Sequence, residues 1–320
     1  MDNQKLKIGV SSCLLGDNVR HNGGNCNNHY LQNILSEYAD FTPSCPEVAI
    51  GMSIPRPAVR LEQMKDQNET VIMRDPKSGN EYTDQMHSYS TLRAKELLNL
   101  DLDGYVFKKN SPSCGVFRVK LYINGHPAER RQTGLFAQHI LDHIPDLPVE
   151  EEGRLCDPVL REHFLLRTFT FRRLKNFLKT DWTRGQLVEF HSAEKYLLMA
   201  HSPKLYKELG QLVAKIAEYS KDDFAEKYRA LFMSAINQKA TRGRNSNTLQ
   251  HMMGYLKKDI ETEGREQLAL SIADYQAGLV PLIVPLTLMN LLLTRAKQDY
   301  LLKQTYLKPY PKELMLRNYI

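Results

Sequence analysis

Close cysteine pairs are missing from this chain. Its five cysteines include no C-x2-C spacing, so nothing marks the usual structural zinc site. An odd number of cysteines in a chain of 320 residues also argues against a disulfide framework. Long apolar runs are missing as well. The most apolar stretch, LVPLIVPLTLMNLLL (279–293), is interrupted by Pro281, Pro285 and Asn290. Its unbroken part is far short of the roughly 20 residues that a membrane span needs, so it reads as a buried helix or the approach to one. The opening MDNQKLK contains no apolar signal region, so no export, no membrane and a cytoplasmic setting with reduced thiols are expected. No repeat of fixed period occurs, which argues against a solenoid.

Acidic surplus is confined to one half. Residues 1–159 carry 17 Lys and Arg against 21 Asp and Glu, whereas residues 160–320 carry 26 against 16. A surplus of ten positive charges suits a polyanionic partner, although lysines on solvated helices give the same count. RTFTFRRLKNF (167–177) interleaves Arg167, Arg172, Arg173 and Lys175 with phenylalanines, the residue types that neutralise phosphate and stack on bases. On a helix the same pattern places aromatics inside and arginines outside. QKATRGRNSN (238–247) reads as a loop whose Arg242 and Arg244 are the stronger RNA-contact candidates.

The first half alternates short β-branched runs with helical ones, as an α/β domain does. KIGVSS, DFTPS and GYVFKK read as strands; HYLQNILSEYA, TDQMHSYSTLRAKELLNL and GLFAQHILDHI read as helices, with Thr83 the expected N-cap of the second. VRLE…VIMR adds a strand or hairpin. The acidic LPVEEEGRLCDP reads as the join between domains. Beyond it the pattern is helical throughout, and Ser202-Pro203 forms a capping start. The expectation is a Rossmann-like parallel sheet in residues 1–155, followed by an all-α domain over 156–320.

Three cysteines fall just past strands: Cys13 after KIGVSS, Cys45 after DFTPS, and Cys114 in NSPSCG after GYVFKK. Ligands of open parallel sheets bind outside the carboxyl ends of the strands. Thiolates suit zinc or iron–sulfur clusters, and three of them around a four-iron cluster would leave one iron open. Three unrelated buried cysteines are the alternative. Cys26 in GGNCNNH and Cys156 in the join read as incidental.

The blocks SSCLLGDNVRHNGG, SCPEVAIGMSIPRPAVRLE and NSPSCG resemble, in order, the signatures of the TudS-like thiouracil desulfidase family over roughly residues 5–150. Residues 160–320 resemble a YbgA-like helical domain through FHSAEKYLLMAHSP, YQAGLVPLIVPLTL and YLLKQTYLKPYP. The combination resembles the RudS-type enzymes, which remove sulfur from 4-thiouridine in transfer RNA. The resemblance implies a 4Fe-4S cluster on Cys13, Cys45 and Cys114 with one iron unbound by protein, and Glu47 and Ser111 as catalytic residues. It implies hydrolysis of a thiocarbonyl to a carbonyl with release of hydrogen sulfide, and tRNA as the partner rather than DNA. Where relatives often have Val-Arg-Tyr-Asp-Gly, this chain has Val19-Arg20-His21-Asn22-Gly23. Arg20, Arg56 and Arg60 are candidates for binding base or phosphate, Arg56 foremost. Read without the resemblance, Glu47 could complement a helix N-terminus and Ser111 could serve a turn. Two other functions remain open: desulfuration of free thiouracil with the helical domain only stabilising, and RNA binding or cluster sensing without turnover.

Overall fold

The computed structural model describes residues 5–63 and 70–319 and divides into two compact units, Met1–Leu160 and Arg161–Ile320. In the first unit the chain runs through β1 (Leu6–Ser11), α1 (His29–Asn33), β2 (Ala39–Ser44), α2 (Pro46–Ala49), β3 (Arg60–Gln63) and β4 (Val71–Arg74). It continues through α3 (Thr83–Asn99), β5 (Gly104–Phe107), β6 (Val119–Ile123), β7 (His126–Gln132), α4 (Leu135–His143) and β8 (Val149–Glu151).

The parallel sheet expected from the sequence is present, in the order β2-β1-β5-β8. Its central strands are buried apart from Lys7, as strands covered on both faces should be: Leu6, Ile8, Val10, Tyr105, Val106 and Phe107 are all fully buried. Tyr105 and Phe107 stack at 4.0 Å between ring centroids, with Phe136 of α4 edge-on to both. A Cβ on Gly9 would lie 2.2 Å from the Tyr105 ring, so only glycine fits there.

A second sheet, β4-β3-β6-β7, pairs β3 with β6 in parallel and flanks them with antiparallel partners. VRLE and VIMR supply β3 and β4. The β6–β7 turn is Asn124-Gly125, both at positive φ (50° and 82°), a hairpin signal that the strand assignments above leave out. Thr83 does not cap α3. Its hydroxyl instead accepts the backbone N–H of Met73 at 3.0 Å, tying the helix to β4.

The acidic VEEEG segment, part of the expected join, lies within the first unit. It forms β8, the edge strand of the parallel sheet, and Glu150, Glu151 and Glu152 are all buried. Each carboxylate has an assigned partner. Glu150 binds Arg154 at 2.7 Å, Glu151 accepts the amides of Val116 (2.8 Å) and Phe117 (3.3 Å), and Glu152 takes the Lys108 ammonium (2.6 Å) and the Lys109 amide (2.7 Å).

The second unit is helical. It follows α5 (Pro158–Leu178), whose first turn lies before Arg161, with α6 (Arg184–His201), α7 (Pro203–Ala214), α8 (Lys221–Asn237) and α9 (Arg242–Met253). The chain then forms α10 (Thr262–Ala277), α11 (Ile283–Arg295) and α12 (Asp299–Leu302). Ser202 caps α7 through the Leu205 amide, with Pro203 at the first helical position. The segment 279–293 yields α11, which buries Leu286, Met289 and Leu293 and leaves Leu291 exposed; Leu279, ahead of the helix, is exposed as well. No helix of the described residues is long and apolar enough to cross a membrane. Buried Glu162 is held by Arg317 (3.1 Å), Tyr310 (2.6 Å) and Tyr319.

QKATRGRNSN is not a loop at its centre: Thr241 caps the Arg244 amide, and Arg242 and Arg244 lie in the first turn of α9. His191 bonds Tyr228 (3.1 Å), His201 bonds the Gln238 carbonyl (2.6 Å), and Lys195 lies over the Tyr196 ring.

Burial holds three histidines of this unit neutral, pushing His163 down to about 3 and His191 and His201 to about 4. Unfolding restores an ordinary value near 6.5, so the unfolded chain binds more protons as pH falls from 6.5 toward 4. Stability from these groups is therefore full above pH 6.5 and lost below it, by up to about 1.4 kcal/mol per pH unit for each histidine. The one tryptophan, Trp182, is buried among Phe177 and Phe224 and reports on this unit alone. Urea unfolding followed by its fluorescence should show a lower midpoint at pH 5 than at pH 7, with a smaller drop in His201→Gln. Equal midpoints would contradict the buried neutral state.

Candidate active site

The three strand-exit cysteines meet. Cys13 sits in the 3-10 turn that follows β1, Cys45 directly precedes α2, and Cys114 lies in the turn between β5 and β6. All three line one cavity of about 390 Å³ at the carboxyl end of the parallel sheet, together with Glu47, Ser111, Arg20, Arg56, His21 and Lys108. Every strongly favoured site residue from the sequence is thus in the same wall. Among the described residues no three His, Cys, Asp or Glu side chains converge tightly enough to hold a single metal ion. The thiols surround a space instead of pointing at one atom.

Burial pushes the Cys13 thiol up to about 12, with Cys26 and Cys45 adding to the shift and Lys108 opposing it. Burial likewise raises Cys114 well above its usual value, against a hydrogen bond from Ser11, with Glu47, Cys45 and Cys13 adding to it. Cys45 is raised by burial against the Val48 amide. Left to themselves these thiols stay protonated at neutral pH and are poor nucleophiles. A polycationic soft group within the cavity reverses that balance, because a coordinating thiol is deprotonated by the charge it binds. The donor set therefore fits a thiolate-bound metal cluster better than it fits cysteine catalysis.

Glu47 enters through α2, where Pro46 supplies the first turn. Its Oε2 accepts Arg56 Nε (3.0 Å) and Nη2 (2.6 Å), and its Oε1 accepts the Ser113 hydroxyl (2.7 Å). Side-chain exposure is 3% for Arg56 and 14% for Glu47. Three donors occupy a carboxylate that offers about four lone-pair positions, so one remains, on Oε1. Arg56 is thus committed to Glu47 and to the Val19 carbonyl (2.9 Å). Ser111 closes the turn by accepting the amides of Ser113 (3.2 Å) and Cys114 (3.1 Å), which fills its lone pairs and leaves its O–H to donate.

Arg20 lies in a tight turn, its amide on the Gly24 carbonyl at 3.1 Å, and faces the cavity. Arg60 does not: it pairs with Glu62 (2.6 Å) and lies 4.3 Å over the Tyr122 ring in the second sheet. Cys26 runs beside Cys13, its amide on the Cys13 carbonyl (2.8 Å), without lining the cavity; Cys156 is exposed elsewhere. Arg242 and Arg244 belong to the other unit, and Arg244 donates to the His201 carbonyl at 2.7 Å. The residues missed from sequence are Ser113, inside NSPSCG itself, and Lys108, the second-last residue of GYVFKK.

The turn bearing Cys114 packs on Gly134 so closely that a Cβ there would sit 2.5 Å from Ser113 backbone atoms and 2.9 Å from the Cys114 nitrogen. Backbone cannot give way as a side-chain tip can, so Gly134→Ala should cost about 1–3 kcal/mol, the usual range for overpacking. Thermal unfolding checks this, and an unchanged midpoint would mean that the contact is looser than drawn.

Two family models match the chain. The one described as 2-thiouracil desulfurase covers residues 8–152, and the one described as a protein of unknown function (DUF1722) covers residues 195–311. The "Uncharacterized protein YbgA" of Escherichia coli (strain K12) is 31% identical over 155 residues, 48% of this chain and 92% of the relative. A solved structure, the [4Fe-4S]-dependent thiouracil desulfidase TudS, is 28% identical, covering 48% of this chain and 95% of its own, with a TM-score of 0.38.

Proposed function

The chain belongs to the family that joins a thiouracil desulfurase domain to a YbgA-like helical domain, and on that premise we propose that it is an iron–sulfur-dependent desulfidase acting on 4-thiouridine in tRNA. The observation that carries the reading is the meeting of Cys13, Cys45, Cys114, Glu47 and Ser111 in one cavity. Cys13, Cys45 and Cys114 would hold a 4Fe-4S cluster with one iron not bound by protein. When bound, that cluster supplies a soft Lewis acid suited to a thiocarbonyl sulfur.

The protein's own groups do the rest. Glu47 accepts a proton from water at the remaining Oε1 position, aiming the water at the thiocarbonyl carbon. Ser111, with its lone pairs filled, donates its hydroxyl hydrogen to substrate or water and holds it in place. Arg20 faces the bound nucleotide from the cavity wall. Thiocarbonyl and water become carbonyl and hydrogen sulfide, so no electrons are gained or lost. The basic second unit supports an RNA substrate, with exposed Arg242 its candidate phosphate contact and Arg244, half-buried on a carbonyl, the weaker one.

Alanine at Cys13, Cys45 or Cys114 should abolish cluster loading, whereas Cys26→Ala and Cys156→Ala should leave it intact. Iron and sulfide counts with visible absorbance after anaerobic reconstitution decide this. A fully loaded Cys114→Ala chain would remove the ligand assignment.

Sulfide release from thiolated tRNA and from free 4-thiouracil separates the substrate readings. Release from tRNA is expected. Release from the free base alone would favour the small-base enzyme, and release from neither would favour a non-catalytic protein. Arg242→Ala should lower the salt slope of tRNA binding by about 1 and leave free-base turnover unchanged. An unchanged slope would move the RNA surface elsewhere.

A further inference from the structure

Two deeply buried polar side chains, Arg56 in the cavity wall and Ser113 in the turn that carries Cys114, have no part in the chemistry above, and both end on the same carboxylate. Ser113 is fully buried, and its hydroxyl donates to Glu47 Oε1 at 2.7 Å; its other neighbour, Met73 Sδ at 3.8 Å, is a weak acceptor. Arg56, 8% exposed, grips Oε2 with two nitrogens at 3.0 and 2.6 Å, and is itself fixed by the carbonyls of Val19 (2.9 Å) and Ser53 (3.4 Å). The two donors come from separate segments, one in the turn after β5 and one in the loop before β3. Each holds a different oxygen.

We infer that Ser113 and Arg56 are positioning residues that fix the rotation of the Glu47 carboxylate and so aim its last open lone pair into the cavity. The inference rests on Glu47 being the base of the proposed reaction. The helix that carries Glu47 has only four residues, Pro46–Ala49, and holds the side chain weakly by itself. Rotation of the carboxylate would leave a fully buried hydroxyl and a buried guanidinium without their acceptor, which is costly. The clamp thus selects one orientation. Ser113 has the larger directional effect, because it shares Oε1 with the open position. Arg56 anchors the opposite oxygen and, through its amide on the His21 carbonyl (2.8 Å), also holds the Arg20–His21 turn against the cavity. A misplacement of about 1 Å in a reacting group can cost on the order of 10²-fold in rate.

The test is a double-mutant cycle on the cluster-loaded full chain, with sulfide release from thiolated tRNA as the assay. Ser113→Ala should lower kcat by about 10-fold or more, a fraction of the loss that misplacing a reacting group brings. KM should stay within about 2-fold, because the serine meets Glu47 and not the substrate. Iron content, the electron paramagnetic resonance of the reduced cluster and the thermal midpoint should match the parent. Placed on Glu47→Ala, the same substitution should cost nothing further, since Ser113 acts only through that carboxylate. Arg56→Lys keeps the charge but not the fork, and should lose kcat in the same non-additive way.

Parental turnover in both Ser113→Ala and Arg56→Lys would overturn the inference. So would equal losses with and without Glu47, because the residues would then act independently of it. A Ser113→Ala chain that fails to load iron would make the serine a support of the Cys114 turn, also against the inference. Normal turnover by Glu47→Ala, by contrast, would strike at the base assignment itself and remove the clamp's catalytic meaning with it.

Discussion

A buried turn with no strand partner must find acceptors for its amides, and the turn that carries Cys114 finds five of them in side chains. Glu152 takes the Lys109 amide, Ser111 takes those of Ser113 and Cys114, and Glu151 takes those of Val116 and Phe117. The Gly115 amide goes to the Ser111 carbonyl. The carbonyls of Pro112, Ser113 and Gly115 are answered from the start of α4, by Leu135, Ala137 and Gly134. Unpaired buried backbone groups cost about 1–3 kcal/mol each, so this accounting is what lets the chain bury Cys114. The acidic edge strand β8 is part of the site although none of its residues lines the cavity.

That turn in turn fixes the relation between the other strand exits. Ser113 immediately precedes Cys114, Glu47 lies two residues beyond Cys45, and their hydrogen bond joins the two exits across the cavity. Cys13 is tied in more loosely, through the Lys108 and Ser11 contact that links β1 to the end of β5. The thiols are therefore held around one cavity by hydrogen bonds of the chain itself. Their burial opposes ionisation, and only a cationic occupant relieves that opposition. Preorganisation and desolvation therefore act in opposite senses: the fold brings the thiols to one cavity, while their burial makes each proton costlier to remove.

How much of this was legible in the sequence depended on how local the cause was. The parallel strands and their cysteines could be read because apolar runs ending in Ser-Ser-Cys, Pro-Ser-Cys and Ser-Pro-Ser-Cys announce themselves within a few residues. The acidic LPVEEEG could not be read so. Three consecutive glutamates normally mark a solvated segment, and the partners that bury Glu151 and Glu152 are 34 to 44 residues earlier in the chain. Thr83 carried the residue type of an N-cap, yet a β-strand amide competed for its hydroxyl and won. Ser113 stood beside Ser111 in the same motif with nothing to distinguish their roles. Only the three-dimensional placement of Glu47 separates the serine that closes the turn from the serine that grips the carboxylate.

The charge of the helical unit shows the same limit from another side. A surplus of ten positive charges over residues 160–320 is a property of the sequence, but a phosphate responds only to charges that remain at the surface. Arg317 is spent on Glu162 within the core, and Arg173 on Glu194 and the Pro309 carbonyl. Arg244 is directed at the His201 carbonyl. Pairs of opposite charge cancel in the count already. Arg244 does not, because its partner is neutral, and the count credits its charge to the surface in full. RTFTFRRLKNF shows how misleading composition can be here: Phe171 is buried, Arg173 faces inward to a carboxylate, and the segment is chiefly a packing face of α5. The RNA surface proposed for this unit would have to be assembled from cations that remain exposed, and sequence proximity of arginines is a poor guide to which ones those are.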